Sequence, residues 1–340
     1  MKTGVRSETI RAASAIALSA VLALAASAAS MLIGPVEIGI GDVARALLSW
    51  TGMTGEAEVE IRNIVLNIRL PRAALAALVG GGLSAAGVIF QVMLRNVLAE
   101  PYILGVSGGA AVGALTAMVT GLGALFAGAI PLSAFAGASA TVALVYALGR
   151  QKKADGGDTL LLIGVMAGAF CSAVILVMVS IMGDPVRNAL FWLLGYLGNS
   201  TAADAAIAAP ITLAAAAYLA AKGRTYNILA LGGEQAEHLG VNVRGMVFSS
   251  YMIASLLTAV LVSFSGSIGF VGLIVPHTVR LIGGPDHWIL LPVSFFSGAV
   301  FLEVCDILAR TLLSPAELPV GAVTAAIGAP LFIGLLLRKK

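Results

Sequence analysis

The sequence predicts an all-α, polytopic membrane protein of about ten transmembrane helices, and three observations predict it. Of 340 residues, 59% are apolar and a further 40 are glycine. Asp, Glu, Lys and Arg make only 11%, against about 25% in a soluble domain. Mean hydropathy is +1.00, and long apolar runs recur along the whole chain, so lipid rather than a globular core must hide most of this surface. A soluble enzyme is excluded. At roughly 20 apolar residues per crossing, the length accommodates about ten helices and no large water-exposed domain. Residues 1–340 therefore read as a single transmembrane domain, with any large soluble partner on another chain.

The first apolar run, 12–33, follows Lys2, Arg6 and Arg11. A signal-peptide core is typically about 7 to 15 residues, so the length of this run predicts a retained first span. Further runs at 71–94, 104–120, 122–148, 159–182, 203–221, 246–264, 268–282, 289–312 and 320–337 complete the set. Several contain glycine or proline, which bundled membrane helices tolerate because neighbours satisfy the freed backbone groups. With the N-terminus inside, alternation places Lys2, Arg6, Arg11, Arg95, Arg150, Lys152, Lys153, Lys222, Arg224, Arg244, Arg280, Arg338, Lys339 and Lys340 on the inner side. Arg45, Arg62, Arg69, Arg72, Arg187 and Arg310 fall outside. This bias obeys the positive-inside rule and predicts an even span count with both termini cytoplasmic.

Gly105, Gly109 and Gly113 fall four apart, as do Gly164 and Gly168, and Gly80, Gly81 and Gly82 lie together in the second run. Small residues at this spacing let helix backbones approach, and packing within one subunit is the expected use. Cys171 and Cys305 sit inside apolar runs, and the three histidines lack ligand spacing, so neither a disulfide framework nor a bound metal is expected. The basic residues are scattered between apolar runs, which fits charges that set topology rather than a nucleic-acid surface.

Ionisable groups inside the runs are few, chiefly Glu303, Asp306 and Arg310 on one face of the ninth, where Asp306 and Arg310 can pair. A proton-coupled pump would string acids and histidines through its spans, and this chain does not. It also has no G-x-x-x-x-G-K-[ST] loop, so it brings no P-loop ATP hydrolysis of its own. The longest polar stretch between late spans, 222–244, lies inside by this topology and reads as a docking element. Asn227 to Leu231 can form one short helix, Gly232 and Gly233 break it, and Glu234 to Leu239 can form a second, closed by Gly240 as a left-handed cap.

Several strings in order then carry a resemblance. They are Arg69-Leu-Pro-Arg72; Gln91 with Leu94-Arg-Asn-Val-Leu-Ala-Glu-Pro101; Leu104-Gly-Val-Ser-Gly-Gly109; and Leu231-Gly-Gly-Glu234 through Leu239-Gly240. Later come Gly266 through Pro276-His277, Gly284-Pro-Asp-His287, Ala316-Glu-Leu-Pro-Val-Gly321 and Ile327-Gly-Ala-Pro330. Over nearly its full length the chain resembles the permease subunits of ABC importers for iron-siderophore complexes, haem and cobalamin. Val97 departs from the pattern, standing where the family commonly has proline.

The resemblance implies a permease in the cytoplasmic (inner) membrane of a prokaryote, paired with a second copy or a paralogue. Two ATPase subunits would dock below and a soluble substrate-binding protein would deliver cargo from outside, a ferric siderophore first, cobalamin or haem next. ATP would bind the partner subunit, and this chain would carry no cofactor and no catalytic residue. Arg69, Arg72 and Arg310 match arginines that meet acidic residues of the binding protein. Leu231, Gly232, Gly233, Glu234, Leu239 and Gly240 match the element that enters a groove on the ATPase. The inner gate would lie at Asn96, Leu98, Asp158 and Thr159. The fifth and tenth spans would line the path, with Met166, Met178 and Met182 as a polarizable, weakly binding wall.

A competing reading is an ion- or proton-coupled secondary transporter, because spans two to five and seven to ten faintly echo one another as an inverted repeat would. Energy separates the two readings. A membrane-embedded enzyme has too little to stand on, since Glu303 and Asp306 alone do not make a converging site.

Overall fold

The computed structural model describes residues 2–49, 58–126, 128–150, 156–183 and 186–337. Helix α1 (Lys2–Leu32) leads to a short α2 (Ile40–Ser49), and α3 (Val59–Asn63) passes through a π-helical turn, Ile64–Arg69, into α4 (Leu70–Met93). A 3-10 turn at Pro101–Leu104 precedes α5 (Val106–Val119), and a second at Leu122–Ala124 precedes α6 (Ala129–Arg150). Then follow α7 (Gly156–Ile181), α8 (Val186–Leu193), α9 (Ala202–Ala221), α10 (Gly223–Leu231) and α11 (Gly233–His238). The last four are α12 (Val243–Ser265), α13 (Val271–Gly283), α14 (His287–Thr311) and α15 (Val320–Leu337). Among the described residues every regular element is helical.

Among the described residues seven helices are long and apolar enough to cross a membrane, and α5, α13 and α15 are shorter apolar helices. Together they occupy the ten runs of the sequence. Two runs start later than expected for a local backbone reason. Gly121, at φ 75°, turns the chain before the 3-10 turn, so α6 begins only at Ala129. Gly266 and Phe270, at φ 68° and 70°, hold 266–270 out of helix, so α13 begins at Val271. The short α2 and α8 were not expected at all.

Helix α4 runs through the middle of the bundle with nearly every residue from Pro71 to Val92 buried. Glycine makes this possible. A Cβ on Gly80 would lie 2.2 Å from the carbonyl oxygen of Gly298 on α14, and one on Gly87 only 1.9 Å from that of Gly272 on α13. The spaced glycines of α5 act the same way within the subunit: a Cβ on Gly109 would meet Thr141 Oγ1 at 2.1 Å, and one on Gly113 the Ser133 carbonyl at 2.0 Å, both on α6. In lipid, such close backbone contact supplies the dispersion energy that a hydrophobic effect between helices cannot.

Because Gly272 packs against Leu83 and Gly87, the break between α12 and α13 lies beside the middle of α4. Irregular backbone at that depth survives only if its polar groups are satisfied by protein. Here the Ile268 N–H donates to the Tyr102 hydroxyl at 2.8 Å and the Phe270 N–H to Glu100 Oε1 at 2.5 Å. Thr324 Oγ1 donates to the Gly269 carbonyl at 3.1 Å, and the Tyr196 N–H to the Ser265 carbonyl at 2.9 Å. The turn before α5, the loop before α9 and helix α15 thus meet on one strap of backbone.

These contacts make the glycines unequal. Gly80→Leu or Gly87→Leu should prevent recovery of monodisperse protein, because the clashing atoms are backbone and cannot yield. Gly41→Ala, on open α2, has nothing within 4 Å and should leave the thermal midpoint unchanged or slightly raised. Size exclusion and a thermal melt on the three variants check this ordering.

Candidate functional site

Two groups of polar residues stand out, one at each end of α14. Glu303, Asp306 and Arg310 share one face of its last turns, and the contact of α14 with α4 brings Asp306 opposite Arg72. Arg72 Nε lies 3.0 and 3.1 Å from the two Asp306 oxygens, and its Nη1 lies 3.0 and 2.9 Å from those of Glu317 in the loop before α15. The Tyr196 hydroxyl donates to Glu317 Oε2 at 3.1 Å. Arg310 Nη2 donates to the Ser30 carbonyl at 2.6 Å and to its hydroxyl at 2.8 Å, and Ser27 Oγ donates to Glu303 Oε1 at 2.5 Å. Arg69, ending the π-turn, donates to the carbonyls of Met31 (2.7 Å), Leu32 (2.9 Å) and Val36. Two arginines therefore serve the C-terminal carbonyls of α1, where helix dipole and lost hydrogen bonds both favour a cation.

Arg69, Arg72 and Arg310, expected to offer their charge to an outside partner, are instead turned into the bundle of this chain. They are 3%, 4% and 3% exposed. A guanidinium left without partners beside lipid is costly, so Asp306 and Glu317 serve Arg72, Asp306 also faces Arg310, and Arg69 is held by backbone carbonyls; of the two acids only Glu317 is partly open, at 27%. The Asp306–Arg310 pair expected from spacing exists at 3.6 Å but is the looser link. The stronger partner, Arg72, lies 234 positions away, beyond the reach of any helical period. Glu317 had a visible signal, an acid in a chain poor in acids, but no assigned partner.

At the other end of α14, α10 and α11 form the expected bent pair. Gly232, at φ 136° and ψ 153°, makes the bend. Gly240, at φ 83°, closes α11 with the Val241 N–H on the Ala236 carbonyl and its own N–H on that of Glu237, both at 2.9 Å, which is a Schellman cap. The first helix begins at Gly223, earlier than expected, because α9 runs almost straight into it. Leu231 and Leu239 are 65% and 62% exposed and Glu234 is exposed, while Gly232 is buried and Gly233 half-buried in the bend.

The base of this projection is anchored. Asn227 Nδ2 donates to Asp286 at 2.7 Å, and Asn227 Oδ1 accepts the His287 N–H at 2.8 Å with the ring Nδ1 at 2.9 Å. The Tyr226 hydroxyl lies 2.8 Å from that of Ser250, and burial pushes its phenol up to about 12, so it stays neutral and bonded. A Cβ on Gly223 would come within 2.6 Å of Trp288. Displacing the tip therefore displaces the start of α14.

The expected gate residues are partly visible. Asn96 Oδ1 accepts the Leu98 N–H at 2.9 Å in a tight turn that leaves Leu98 44% exposed. Thr159 is half-buried near the start of α7; the side chain of Asp158 lies outside the described residues. The expected methionine wall divides in the structure. Met166 stands 56% exposed on α7, but Met178 and Met182 pack against Ala111 and Leu115 of α5 and Ala189 of α8, since α7 turns them toward those neighbours. Among the described residues no group of three or more His, Cys, Asp or Glu is placed to hold a metal ion.

Residues 15–338 match the FecCD transport family over nearly the whole length of this bundle. The chain belongs to that family. It is 41% identical over 291 residues to the uncharacterized ABC transporter permease YvrB of Bacillus subtilis, covering 85% of this chain and 82% of that one. It is 44% identical over 273 residues to the cobalamin import permease BtuC of Halobacterium salinarum, covering 80% and 73%. The hemin transport permease HmuU of Yersinia pestis is 38% identical over 295 residues, covering 86% and 87%. An inward-facing structure of a metal-chelate type ABC transporter superposes with a TM-score of 0.83 at 29% identity, covering 96% of this chain and 99% of that one. The chain is thus a multi-pass transport permease, from a family of transporters rather than enzymes.

Burial gives the arginines a measurable role. Arg72→Ala should leave Asp306 with only the looser Arg310 contact and Glu317 with no ion pair, and destabilise the folded chain by about 3 to 5 kcal/mol, whereas Arg45→Ala, with a side chain 63% exposed, should cost under about 1 kcal/mol. Denaturation in detergent compares the two. Equal losses would show that the Arg72 contacts contribute nothing beyond a surface pair.

Proposed function

We propose that this chain is the membrane-spanning permease subunit of an ATP-driven importer that moves a bulky metal chelate from a soluble binding protein into the cytoplasm. The observation that carries the reading is the projection: two short helices at a fixed bend, exposed at Leu231, Glu234 and Leu239 and tied through Asn227 to the start of a transmembrane helix. Residues 222–244 form the cytoplasmic docking loop of a single permease domain, and each of two ATPase subunits receives one such tip from a permease pair made of two copies or of a copy and a paralogue. ATP binds and is hydrolysed on the partner. Closure of the ATPases pushes the tip, α14 carries the movement to its far end, and the helices along the path change access, a population shift driven by binding energy released elsewhere.

In this reading the membrane is the inner membrane of a prokaryote, with both termini and the projection on the cytoplasmic side, as the inner excess of Lys and Arg supports. The far end of α14 receives the binding protein. Arg69, Arg72 and Arg310 act there from within, holding the end of α1 and the loop before α15 in the shape on which that partner lands. The path runs along α7 and α15 past Met166, and Asn96, Leu98, Asp158 and Thr159 form the inner gate. Cobalamin is the first cargo to test, because a cobalamin permease is 44% identical, with haem and ferric siderophores beside it.

The test is uptake by proteoliposomes holding this chain, its ATPase and its binding protein, with cobalamin, haem and ferric siderophores offered in turn. ATP-dependent accumulation of one cargo that survives ionophores supports the proposal. Accumulation that follows an ion gradient and ignores ATP would replace it with a secondary transporter. Within the same assay, Glu234→Lys with Leu239→Asp should reduce uptake at least roughly tenfold while the complex still binds nucleotide, since one charge is reversed and another placed where an apolar side chain would be buried on docking. Unchanged coupling would place the contact elsewhere.

A further inference from the structure

The base of the projection also holds a feature that neither docking nor cargo transfer uses. A cleft of about 390 Å³ opens between the end of α9, the start of α10 and the start of α12. Its walls include Tyr218, Lys222, Thr225, Asn242, Gly245 and Ser249, and no Asp or Glu lines it. The chemistry of these walls is that of donors. Lys222 Nζ lies 5.9 Å from the centre of the Tyr218 ring and, among the described residues, has no carboxylate within 4.0 Å. Asn242 uses its Oδ1 to cap α12 through the Gly245 N–H at 2.9 Å, which leaves its amide N–H groups unspent. The Thr225 hydroxyl forms no hydrogen bond among the described residues, whereas Ser249 donates to the Met246 carbonyl at 3.2 Å.

Position narrows the ligand. The cleft sits where two spans, α9 and α12, reach the end of the apolar layer. Tyr218 on α9 and Phe248 on α12 are 38% and 45% exposed, and Ile211, two turns back from Tyr218 on the same face of α9, is 41% exposed. An apolar flank thus leads from the bilayer to a donor-lined mouth. Further cations stand nearby: Arg224 and Arg244 lie at the same end without an ion-pair partner among the described residues, and Arg224 sits 5.8 Å over the Trp288 ring. Cations beside aromatic rings at the end of a span are how a membrane protein meets charged headgroups. A zwitterionic headgroup would bring its own positive charge beside Lys222, and the walls offer no carboxylate to balance it.

We propose that this cleft holds the phosphate of an anionic glycerophospholipid from the surrounding bilayer, paired with Lys222 and hydrogen-bonded by Thr225 and Asn242, with an acyl chain along Tyr218 and Ile211. Gly240 and Val241, which follow directly on α11, form one wall. A seated lipid therefore braces the projection against the membrane surface, and the composition of the bilayer bears on how stiffly the tip is held. The proposal stands apart from the cargo reading and is tested without it.

The experiment is native mass spectrometry of the full chain in detergent, titrated with phosphatidylglycerol or with phosphatidylcholine of the same acyl chains. The wild type should retain phosphatidylglycerol roughly tenfold better, a preference that Lys222→Arg keeps and Lys222→Glu reduces at least fivefold, in line with the pull of one basic residue on an anionic lipid. Thr225→Val, which is close to isosteric, should weaken retention with no change in the thermal melt, so the proposal stays testable if the charge reversal impairs folding. Equal retention of the two lipids, or full retention of phosphatidylglycerol by Lys222→Glu, would overturn it. So would removal of the bound lipid by millimolar glycerol phosphate, which would make the cleft a site for small soluble anions.

Discussion

The two-pronged contact between Arg72 and Asp306 is the interaction on which the far end of this bundle depends. It joins the first turn of α4 to the last turns of α14, at a depth where neither charge reaches water. Once Arg72 is placed, Glu317 and Tyr196 gather on its second edge and bring the loops before α15 and α9 with them. Arg310 faces Asp306 from below and holds Ser30, so the end of α1 joins the same group. The cost of desolvating these charges is tolerable because Asp306 faces both Arg72 and Arg310 while Glu317 takes the second edge of Arg72, and removing any one of the four deprives another of a partner.

That arrangement changes how the arginines are understood. A guanidinium facing outward steers a partner; a guanidinium facing inward fixes the surface the partner meets. The same chain uses the second device again at the opposite end, where Asn227 and Tyr226 lie beneath the projection and leave Leu231, Glu234 and Leu239 free. Helix α14 is held at both ends by polar side chains and along its length by the glycine contact with α4. It joins the base of the projection to Asp306 in one continuous helix, interrupted in its backbone hydrogen bonding only where Pro292 lacks an N–H.

Much of this was legible in the sequence, and the exceptions share a physical cause. The ten apolar runs were readable because lipid imposes length and composition on any span. The bend of the projection was readable because Gly232 and Gly240 occupy backbone conformations that other residues avoid. The helices α2 and α8 were not readable, because eight to ten residues with one apolar face look like any polar connection. The fates of Arg69, Arg72, Met178 and Met182 were hidden for another reason. Spacing tells which residues share a helix face, and only the tertiary arrangement tells what that face meets. Asn96 and Leu98 fell where a turn was expected, yet what that turn does depends on partners the chain itself does not contain.

The strap at 266–270 has a consequence of a different kind. The side chains of Glu100, Tyr102 and Thr324 all grip it through its main-chain N–H and C=O groups. A contact with backbone is indifferent to the side chain it passes. Ser267, half-buried, can therefore change more freely than the distant side chains that hold the strap, whereas Ile268 is fully buried and cannot, so the inheritance of this crossing is written largely outside it, in three positions spread across more than two hundred residues of chain.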